Sequence, residues 1–171
     1  MSARERIAYL LDDNSFVELG NLVSARSTDY NLGSLKKEGD GVVTGYGILG
    51  DRMVYVYSQD ASVLGGSIGE MHAKKITAVY DMAMKTGSPV IGMIDCAGLR
   101  LQEAGDALNA FGEIFMKQAQ ASGKIPQITA VFGMCGGGSA VMTAMSDFVF
   151  MEETNGQLFI NSPNTLEDNK A

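Results

Sequence analysis

Apolar and polar residues along the chain follow two different periods, which predict strands and helices in turn. Residues 3–11 (ARERIAYLL) have the spacing of a short amphipathic helix, and the stretch DDNSFVEL after them predicts an extended segment. Runs rich in β-branched and aromatic residues at 42–44 and 53–57 lie on either side of Gly50 and Asp51. This arrangement is typical of a β-hairpin.

The remainder of the chain predicts helices that alternate with buried strands. Segments 67–87 and 101–123 have helical spacing, and Leu108, Phe111 and Phe115 mark one face of the second helix. The strands PVIGMID and PQITAVFGM are nearly continuous apolar runs, as expected where both faces of a sheet are covered. With the short strands DFVFM and LFIN, the predicted order is β-β-α-β-α-β-α-β-β, an α/β layer architecture.

Composition and charge narrow the class of protein. The 46% of hydrophobic residues suffices for a core, and the net charge of −7 argues against a nucleic-acid surface. Two cysteines and one histidine make neither a secreted disulfide framework nor a standard zinc site, so no metal is predicted. No apolar run reaches the roughly 18 residues of a membrane helix, and no signal peptide opens the chain. We therefore expect a soluble cytoplasmic protein.

Glycine is over-represented, and it concentrates where two of the predicted strands end. Glycine accounts for 21 of 171 residues, and residues 96–100 (CAGLR) and 135–139 (CGGGS) each follow a buried strand. Ligands bind beyond the carboxyl ends of strands in open α/β sheets, and small residues there let a ligand approach backbone N–H groups. The two corners therefore predict an oxyanion hole, which for a thioester would stabilise an enolate. The alternative is that small residues only allow close packing of helix and strand.

Nucleophilic side chains near the corners are weaker candidates. Cys96 and Cys135 are expected to be small packing residues, because no basic partner is evident near them. Ser139 does not complete the G-x-S-x-G motif of a hydrolase, since Val141 occupies the last position. The single His72 lies far along the chain, which disfavours a serine triad.

Two short motifs match known signatures without the structural context that those signatures need. Gly45, Gly47 and Gly50 fit the G-x-G-x-x-G pattern of dinucleotide binding, but a strand rather than a helix is predicted after them. Residues 83–86 (AMKT) resemble the lysine motif of biotin-carrier domains. Lys85 falls in the last turn of a predicted helix, where it favours the helix dipole, and it is a poor biotin acceptor.

Six longer motifs, in order, carry a resemblance to one family. The chain resembles the carboxyltransferase (β-type) subunit of biotin-dependent acyl-CoA carboxylases and decarboxylases, a group that includes propionyl-CoA carboxylase, methylmalonyl-CoA and glutaconyl-CoA decarboxylases and transcarboxylase. The motifs are ARERIAYLLDDNSFVELG, GDGVVTGYG, VYSQDASVLGGSIGEMHAKKI, DCAGLRLQE, ASGKIPQITAVFGMCGGGSAV and DFVFM. The resemblance runs from about Ala3 to Ala171.

This resemblance implies a fold and a reaction. The fold is α/β and crotonase-like, built from repeated ββα units. In such enzymes a carboxyl group moves between N1 of biotin and the α-carbon of an acyl-CoA, and backbone amides stabilise the enolate. By analogy the site residues are Ala97, Gly98, Leu99, Gly136, Gly137 and Gly138, of which the Leu99 and Gly137 N–H groups rank as the donors.

The resemblance also implies cofactors and partners. Biotin arrives on a separate carrier protein, and acyl-CoA is the substrate. The cations proposed for CoA phosphates are Arg100, Lys36, Lys37, Lys74 and Lys75, with Gly65 and Gly66 also assigned to cofactor binding. The alternative for each lysine is an ordinary solvated surface position. Further expected partners are biotin carboxylase or membrane decarboxylase subunits, within a homo-oligomer.

The chain departs from the family in two motifs and in length. The family's usual Asp-Ser-Gly-Gly-Ala-Arg and Cys-Ala-Gly-Gly-Ala read DCAGLR and CGGGS here, which leaves the acyl group open. Family members contain two crotonase-like halves, so residues 1–171 correspond to an N-terminal half, and a second half or subunit is needed for carboxyl transfer.

Two other classes of function stay open on sequence grounds. A biotin-independent hydratase or hydrolase of the same fold needs a carboxylate base near the corners, for which Glu70 and Glu103 are available. A non-catalytic assembly domain of a larger complex is the third possibility, and it predicts no affinity for CoA.

Overall fold

The predicted succession of strands and helices is confirmed in the computed structural model, which describes residues 1–26 and 39–161. The helices are α1 (Ala3–Leu10), α2 (Glu70–Thr86), α3 (Ala104–Ala121) and α4 (Gly138–Ala144). The strands are β1 (Val17–Leu19), β2 (Val42–Leu49), β3 (Arg52–Gln59), β4 (Val90–Cys96), β5 (Gln127–Gly136), β6 (Phe148–Met151) and β7 (Gln157–Phe159). Most of the polar loop predicted at 24–40, including Lys36 and Lys37, lies outside the described residues.

All of these strands belong to one sheet. Strands β1 to β6 lie side by side in chain order, and β7 pairs with the end of β5. The pairs β1–β2 and β2–β3 are antiparallel, which confirms the hairpin and removes the dinucleotide-binding interpretation of Gly45, Gly47 and Gly50. From β3 onward every pair is parallel, so β3, β4, β5 and β6 end at the same edge of the sheet.

Helices cover both faces of the sheet around β4. One face packs against α2 and α3 in the larger core, which includes Ile76, Ile94 and Ile114. The other face packs against α1 in a smaller core, which includes Ile7 and Val56. Burial of both faces explains why β4 reads as a continuous apolar run in the sequence.

Two apolar parts of the chain are exposed in the structure. Leu108 shares one face of α3 with Phe111 and Phe115 in the sequence pattern, and it is 67% exposed. Ala107, Ala110 and Ile114 form the buried face instead, together with Phe111, because small residues let α3 lie close to α2 and the sheet. Strand β6 is present as predicted, yet all of its residues are exposed.

Helix lengths and apolarity bear on membrane insertion. Among residues 1–26 and 39–161, no helix combines the length and the apolar character that a bilayer-spanning segment requires.

Candidate active site

The two glycine-rich corners lie beside each other at the carboxyl edge of the sheet. Strands β4 and β5 are parallel neighbours, and Cys96 is the register partner of Cys135. The residues that follow each strand therefore share one cavity of about 570 Å³. All six predicted corner residues line it, together with Leu108, Phe111, Gly112, Phe115, Phe159 and Ile160. Both corners thus open into the same space.

A one-residue bridge orients the backbone of the first corner. The Ile68 N–H donates to the Gly98 carbonyl (2.9 Å), and the Arg100 N–H donates to the Ile68 carbonyl (3.0 Å). Because N–H groups alternate in direction along an extended chain, the Leu99 N–H points away from Ile68. No acceptor for the Leu99 N–H exists within the described parts of the chain. This amide is available to a ligand.

The second corner differs from the expectation in the identity of its available amide. The Gly137 N–H, which was predicted to be a donor, is bonded to the Phe159 carbonyl of β7 at 3.0 Å. The next residue, Gly138, begins α4, and a first helical residue has no intrahelical acceptor for its N–H. Among residues 1–26 and 39–161 the Gly138 N–H has no acceptor. The available pair of amides is therefore Leu99 and Gly138.

Two different features favour the three glycines of the second corner. Gly137 has φ 59° and ψ −120°, a conformation that L-residues with a side chain rarely adopt. A Cβ at Gly136 would lie 2.6 Å from the Phe159 ring, and one at Gly138 would lie 2.6 Å from the Phe111 ring. The triplet therefore combines a special turn with two close ring contacts.

Comparison with known proteins identifies the family. Residues 1–169 match the carboxyl transferase domain family. The chain belongs to the carboxyl transferase domain family. It is 50% identical over 169 residues to methylmalonyl-CoA decarboxylase subunit alpha of Veillonella parvula, covering 98% of this chain and 33% of that protein. It is 47% identical over 167 residues to the propionyl-CoA carboxylase beta chain of Roseobacter denitrificans, again covering 98% and 33%.

A solved structure shows the same fold. The chain superposes on transcarboxylase 12S with a TM-score of 0.94 and 36% identity, covering 99% of this chain and 33% of that one. The transcarboxylase structure is described as a hexamer and the core of a multienzyme, with hydrolysed methylmalonyl-coenzyme A bound. The crotonase-like α/β fold implied by the sequence motifs is confirmed. The chain spans about a third of the length of these relatives.

The cations proposed for CoA phosphates are not at the cavity in the described residues. The prediction that Arg100 binds CoA phosphates is wrong, because Arg100 is only 2% exposed and its guanidinium bonds Asp40 and Glu103. Lys75 is likewise buried, and its ammonium group donates to the Val42 carbonyl. Lys74 is exposed and pairs with Glu70 at 2.6 Å. The cavity lining among residues 1–26 and 39–161 is uncharged.

Gly65 and Gly66 support the first corner from behind rather than lining the cavity. The Ala97 N–H donates to the Gly65 carbonyl at 2.9 Å. A Cβ on Gly66 would collide with the Asp95 carbonyl oxygen, so only glycine allows this close approach. Their assigned role in cofactor binding is replaced by a structural one, because neither belongs to the cavity lining.

The carboxylates available to a hydratase are already engaged. Glu103 is 6% exposed, and its two oxygens accept from Arg100 Nη1 (2.9 Å) and from the Glu70 N–H (2.6 Å). Glu70 pairs with Arg26 and Lys74, which lowers the pKa of its carboxyl. Neither group lines the cavity.

The nucleophile candidates are buried. Cys96 and Cys135 are free thiols without exposed surface, and burial raises the pKa of both. Since the thiolate is the reactive form, this environment suits packing. Ser139 is also fully buried. No group of three or more His, Cys, Asp or Glu in the described ranges is arranged to hold a metal ion.

A buried polar chain behind the first corner was not anticipated from the sequence. His72 Nδ1 donates to the Asp40 carbonyl (2.8 Å), and its Nε2 accepts from the Gln59 amide (3.2 Å). Gln59 Oε1 in turn accepts the Asp95 N–H at the end of β4 (3.2 Å). Burial and the nearby Arg100 lower the pKa of His72 to about 3, so the ring is neutral. The sequence clue to this polar network was that Asp40 and Gln59 stand among apolar residues in two of the family motifs.

Proposed function

We propose that this chain binds an acyl-CoA thioester and takes part in carboxyl transfer at the acyl α-carbon. The observation that carries the proposal is the pair of unbonded amides, Leu99 and Gly138, at the edge of one apolar cavity. The thioester oxygen lies between these two donors. Two amides so placed stabilise negative charge on oxygen better than they stabilise a neutral carbonyl, which favours the enolate.

The electron movement follows from the position of the donors. When the bond between the α-carbon and its carboxylate breaks, its electron pair delocalises onto the thioester oxygen. The Leu99 and Gly138 N–H groups hold that oxygen, and in the reverse direction the enolate carbon forms the new bond to the carboxyl carbon. Biotin on its carrier protein supplies or accepts the carboxyl group at N1 when it is bound.

The walls of the cavity suit a small acyl group. Phe111, Phe115, Phe159 and Leu108 provide apolar surface beside the two corners, and no charge lies among these lining residues. The names of the relatives support propionyl-CoA or methylmalonyl-CoA as the substrate. Lys36 and Lys37, outside the described residues, stay the proposed contacts for the phosphates of CoA.

We further propose that residues 1–171 form the N-terminal crotonase-like half of the functional unit. A second carboxyltransferase half or a neighbouring subunit completes the site and provides the biotin pocket. The exposed apolar strand β6 supports an arrangement in which more protein covers this edge of the sheet. The other proposed partners are the biotin carrier and either biotin carboxylase or membrane decarboxylase subunits, in a homo-oligomer.

The proposal is tested first by binding. In a calorimetric titration, the complete protein should bind propionyl-CoA, and free CoA should bind more weakly because it lacks the thioester. Leu108→Glu places a charge in the apolar wall and should weaken propionyl-CoA binding about tenfold or more. Leu22→Glu, at a residue that is 93% exposed, is the matched control and should leave the affinity unchanged.

Two outcomes would favour the other functions. If the complete protein fails to bind any acyl-CoA, the chain acts as an assembly domain. If turnover continues after the carrier's biotin is blocked with avidin, the reaction is that of a biotin-independent hydratase or hydrolase. Abolished turnover under avidin is the expected result.

A further inference from the structure

A buried ion cluster lies directly behind the backbone bridge that orients the Leu99 amide. Its centre is Arg100, the residue after Leu99, which is 2% exposed. Its guanidinium contacts the Asp40 carboxylate and Glu103 Oε1 (2.9 Å). Asp40 is fully buried and Glu103 is 6% exposed. The charge of Arg100 is thus used inside the protein and is not offered to a ligand.

The Arg100 guanidinium also bonds the residue before Ile68. Arg100 Nη2 donates to the Ser67 carbonyl at 2.6 Å, and Nε donates to Ser67 Oγ at 3.3 Å. Ser67 precedes Ile68, whose main chain holds Gly98 and Arg100. Arg100 therefore holds the bridge twice: its main-chain N–H bonds Ile68, and its side chain bonds Ser67, the residue before Ile68.

Glu103 fixes the segment on the far side of Ile68. Its Oε2 accepts the Glu70 N–H (2.6 Å) at the start of α2, where the N-cap residue Gly69 has no side chain to do so. A Cβ on Gly69 would collide with the Glu103 carboxylate. Residues 67–70 are consequently held at both ends by the partners of one guanidinium.

We infer that Arg100 is a positioning residue, whose side chain locks the bridge between Ile68 and Leu99 and so aims the Leu99 N–H into the cavity. This role rests on the proposed function, because it assigns to Arg100 the alignment of one of the two proposed donors. A planar guanidinium with five N–H groups bonds Asp40, Glu103 and Ser67 together. A lysine ammonium has one nitrogen and does not span these partners in the same way.

The test uses Arg100→Lys in the complete protein, with Arg4→Lys as the matched control. Arg4 makes a bidentate pair with Glu18 and its side chain is 63% exposed, so the control changes an arginine away from the corner. The first readout is amide hydrogen exchange without ligand. Exchange of the Ile68 and Arg100 amides should rise about tenfold or more in Arg100→Lys, while amides in the middle of β4 keep their protection.

The second readout is the infrared carbonyl frequency of bound propionyl-CoA labelled with ¹³C at the thioester carbon. Hydrogen bonds from the two amides lower this frequency in the unsubstituted protein. In Arg100→Lys at least half of that shift should be lost, and kcat should fall about tenfold with KM changed by less than about threefold. A purely structural role for Arg100 does not move the carbonyl frequency.

The outcomes separate this inference from the proposed function. If the carbonyl shift and both exchange rates in Arg100→Lys equal those of the unsubstituted protein, Arg100 does not position the amide. If the unsubstituted protein shows no carbonyl shift, the proposed function fails, while the exchange readout still decides whether Arg100 locks the bridge. Should Arg100→Lys not fold, Glu103→Gln keeps the arginine and the shape of its partner. Glu103→Gln should change both readouts in the same direction as Arg100→Lys. If Glu103→Gln leaves both readouts unchanged, the inference is wrong.

Discussion

The two corners of the cavity present the same kind of group, a backbone amide, but they are held in place by different means. At the first corner, one glycine with positive φ, Gly98, is backed by buried side chains from distant parts of the chain. At the second corner, the conformation depends on Gly136, Gly137 and Gly138 having no Cβ. Strand β7 pairs with the end of β5 beside them. The first corner is held by contacts from buried side chains, whereas the second depends on residues that have no Cβ.

This difference determines what each corner tolerates. At the first corner the bridge to Ile68 uses only main-chain atoms, so a change of the Leu99 side chain does not remove the hydrogen bonds that orient its amide. At the second corner a side chain collides with an aromatic ring at Gly136 and Gly138, or forces an unfavourable φ at Gly137. Substitutions should therefore damage the second corner locally, and the first corner through its distant supports.

The largest effect is expected from removing the amide of the second corner. Gly138→Pro deletes the proposed donor at the first position of α4, where a helix tolerates proline. We expect kcat for carboxyl transfer by the complete enzyme to fall by about two to three powers of ten. Steady-state kinetics with a saturating acyl-CoA measures this change.

Two variants make that result specific to the amide. Gly138→Ala introduces the same contact with Phe111 but keeps the N–H, and should lose less than about tenfold in kcat. Leu99→Ala keeps the amide of the first corner and should also stay within about tenfold. Equal losses in Gly138→Pro and Gly138→Ala would show that the Phe111 contact, not the donor, explains the effect.

A smaller effect is expected on stability at the turn between β5 and α4. Space for a Cβ exists at Gly137, whose nearest neighbour would be the Ile160 carbonyl at 3.9 Å, so Gly137→Ala tests the backbone conformation alone. The free energy of unfolding from a urea titration should fall by about 1–3 kcal/mol.

The matched control for this turn is the same change inside a helix. Gly112→Ala lies in α3 with nothing within 4 Å of the added Cβ. It should raise the free energy of unfolding by about 0.5–1 kcal/mol, because alanine is the better helix former. A gain in stability from Gly137→Ala would contradict the requirement for glycine at that position.

A further effect on stability depends on pH and concerns the polar network behind the first corner. The pKa of His72 is about 3 in the folded protein and 6.5 is its ordinary value, so below pH 6.5 the unfolded chain binds a proton that the folded chain does not. Stability is therefore lost as the pH falls. Between pH 6.5 and 5.0 the loss should be roughly 1.5 kcal/mol.

His72→Gln isolates this contribution, since His72 is the single histidine of the chain. The slope of unfolding free energy against pH between 5.0 and 6.5 should be smaller in the variant by that amount. An identical slope in both proteins would mean that His72 accepts a proton in the folded state. Chemical denaturation at four or five pH values provides the measurement.

The fold was predictable because its signals are local. The hairpin followed from Gly50 and Asp51 between two β-rich runs, and the buried strands followed from PVIGMID and PQITAVFGM. The exposure of Leu108 was not predictable, because the residues that α3 buries depend on how closely it approaches α2 and the sheet. Small residues such as Ala107 and Ala110 make that approach possible, and helical spacing alone does not rank them above leucine.

The site was predictable in its location and not in its bonding. Residues 97–99 and 136–138 were placed correctly at one cavity, since parallel strands end at a common edge. The engagement of the Gly137 amide depends on Phe159 of β7, more than 20 residues further along the chain. The burial of Arg100 depends on Asp40, 60 residues earlier in the chain. Contacts of such sequence separation leave no periodic signal.

The edge strand β6 has a practical implication for handling this polypeptide. Every residue of β6 is exposed, with Phe148 and Phe150 at 60% and 62%, and its outer backbone groups face away from β5. An exposed apolar edge strand of this kind pairs readily with strands of other molecules. Protein concentration, and co-expression with a protein that binds this edge, therefore decide whether the polypeptide stays monodisperse or aggregates.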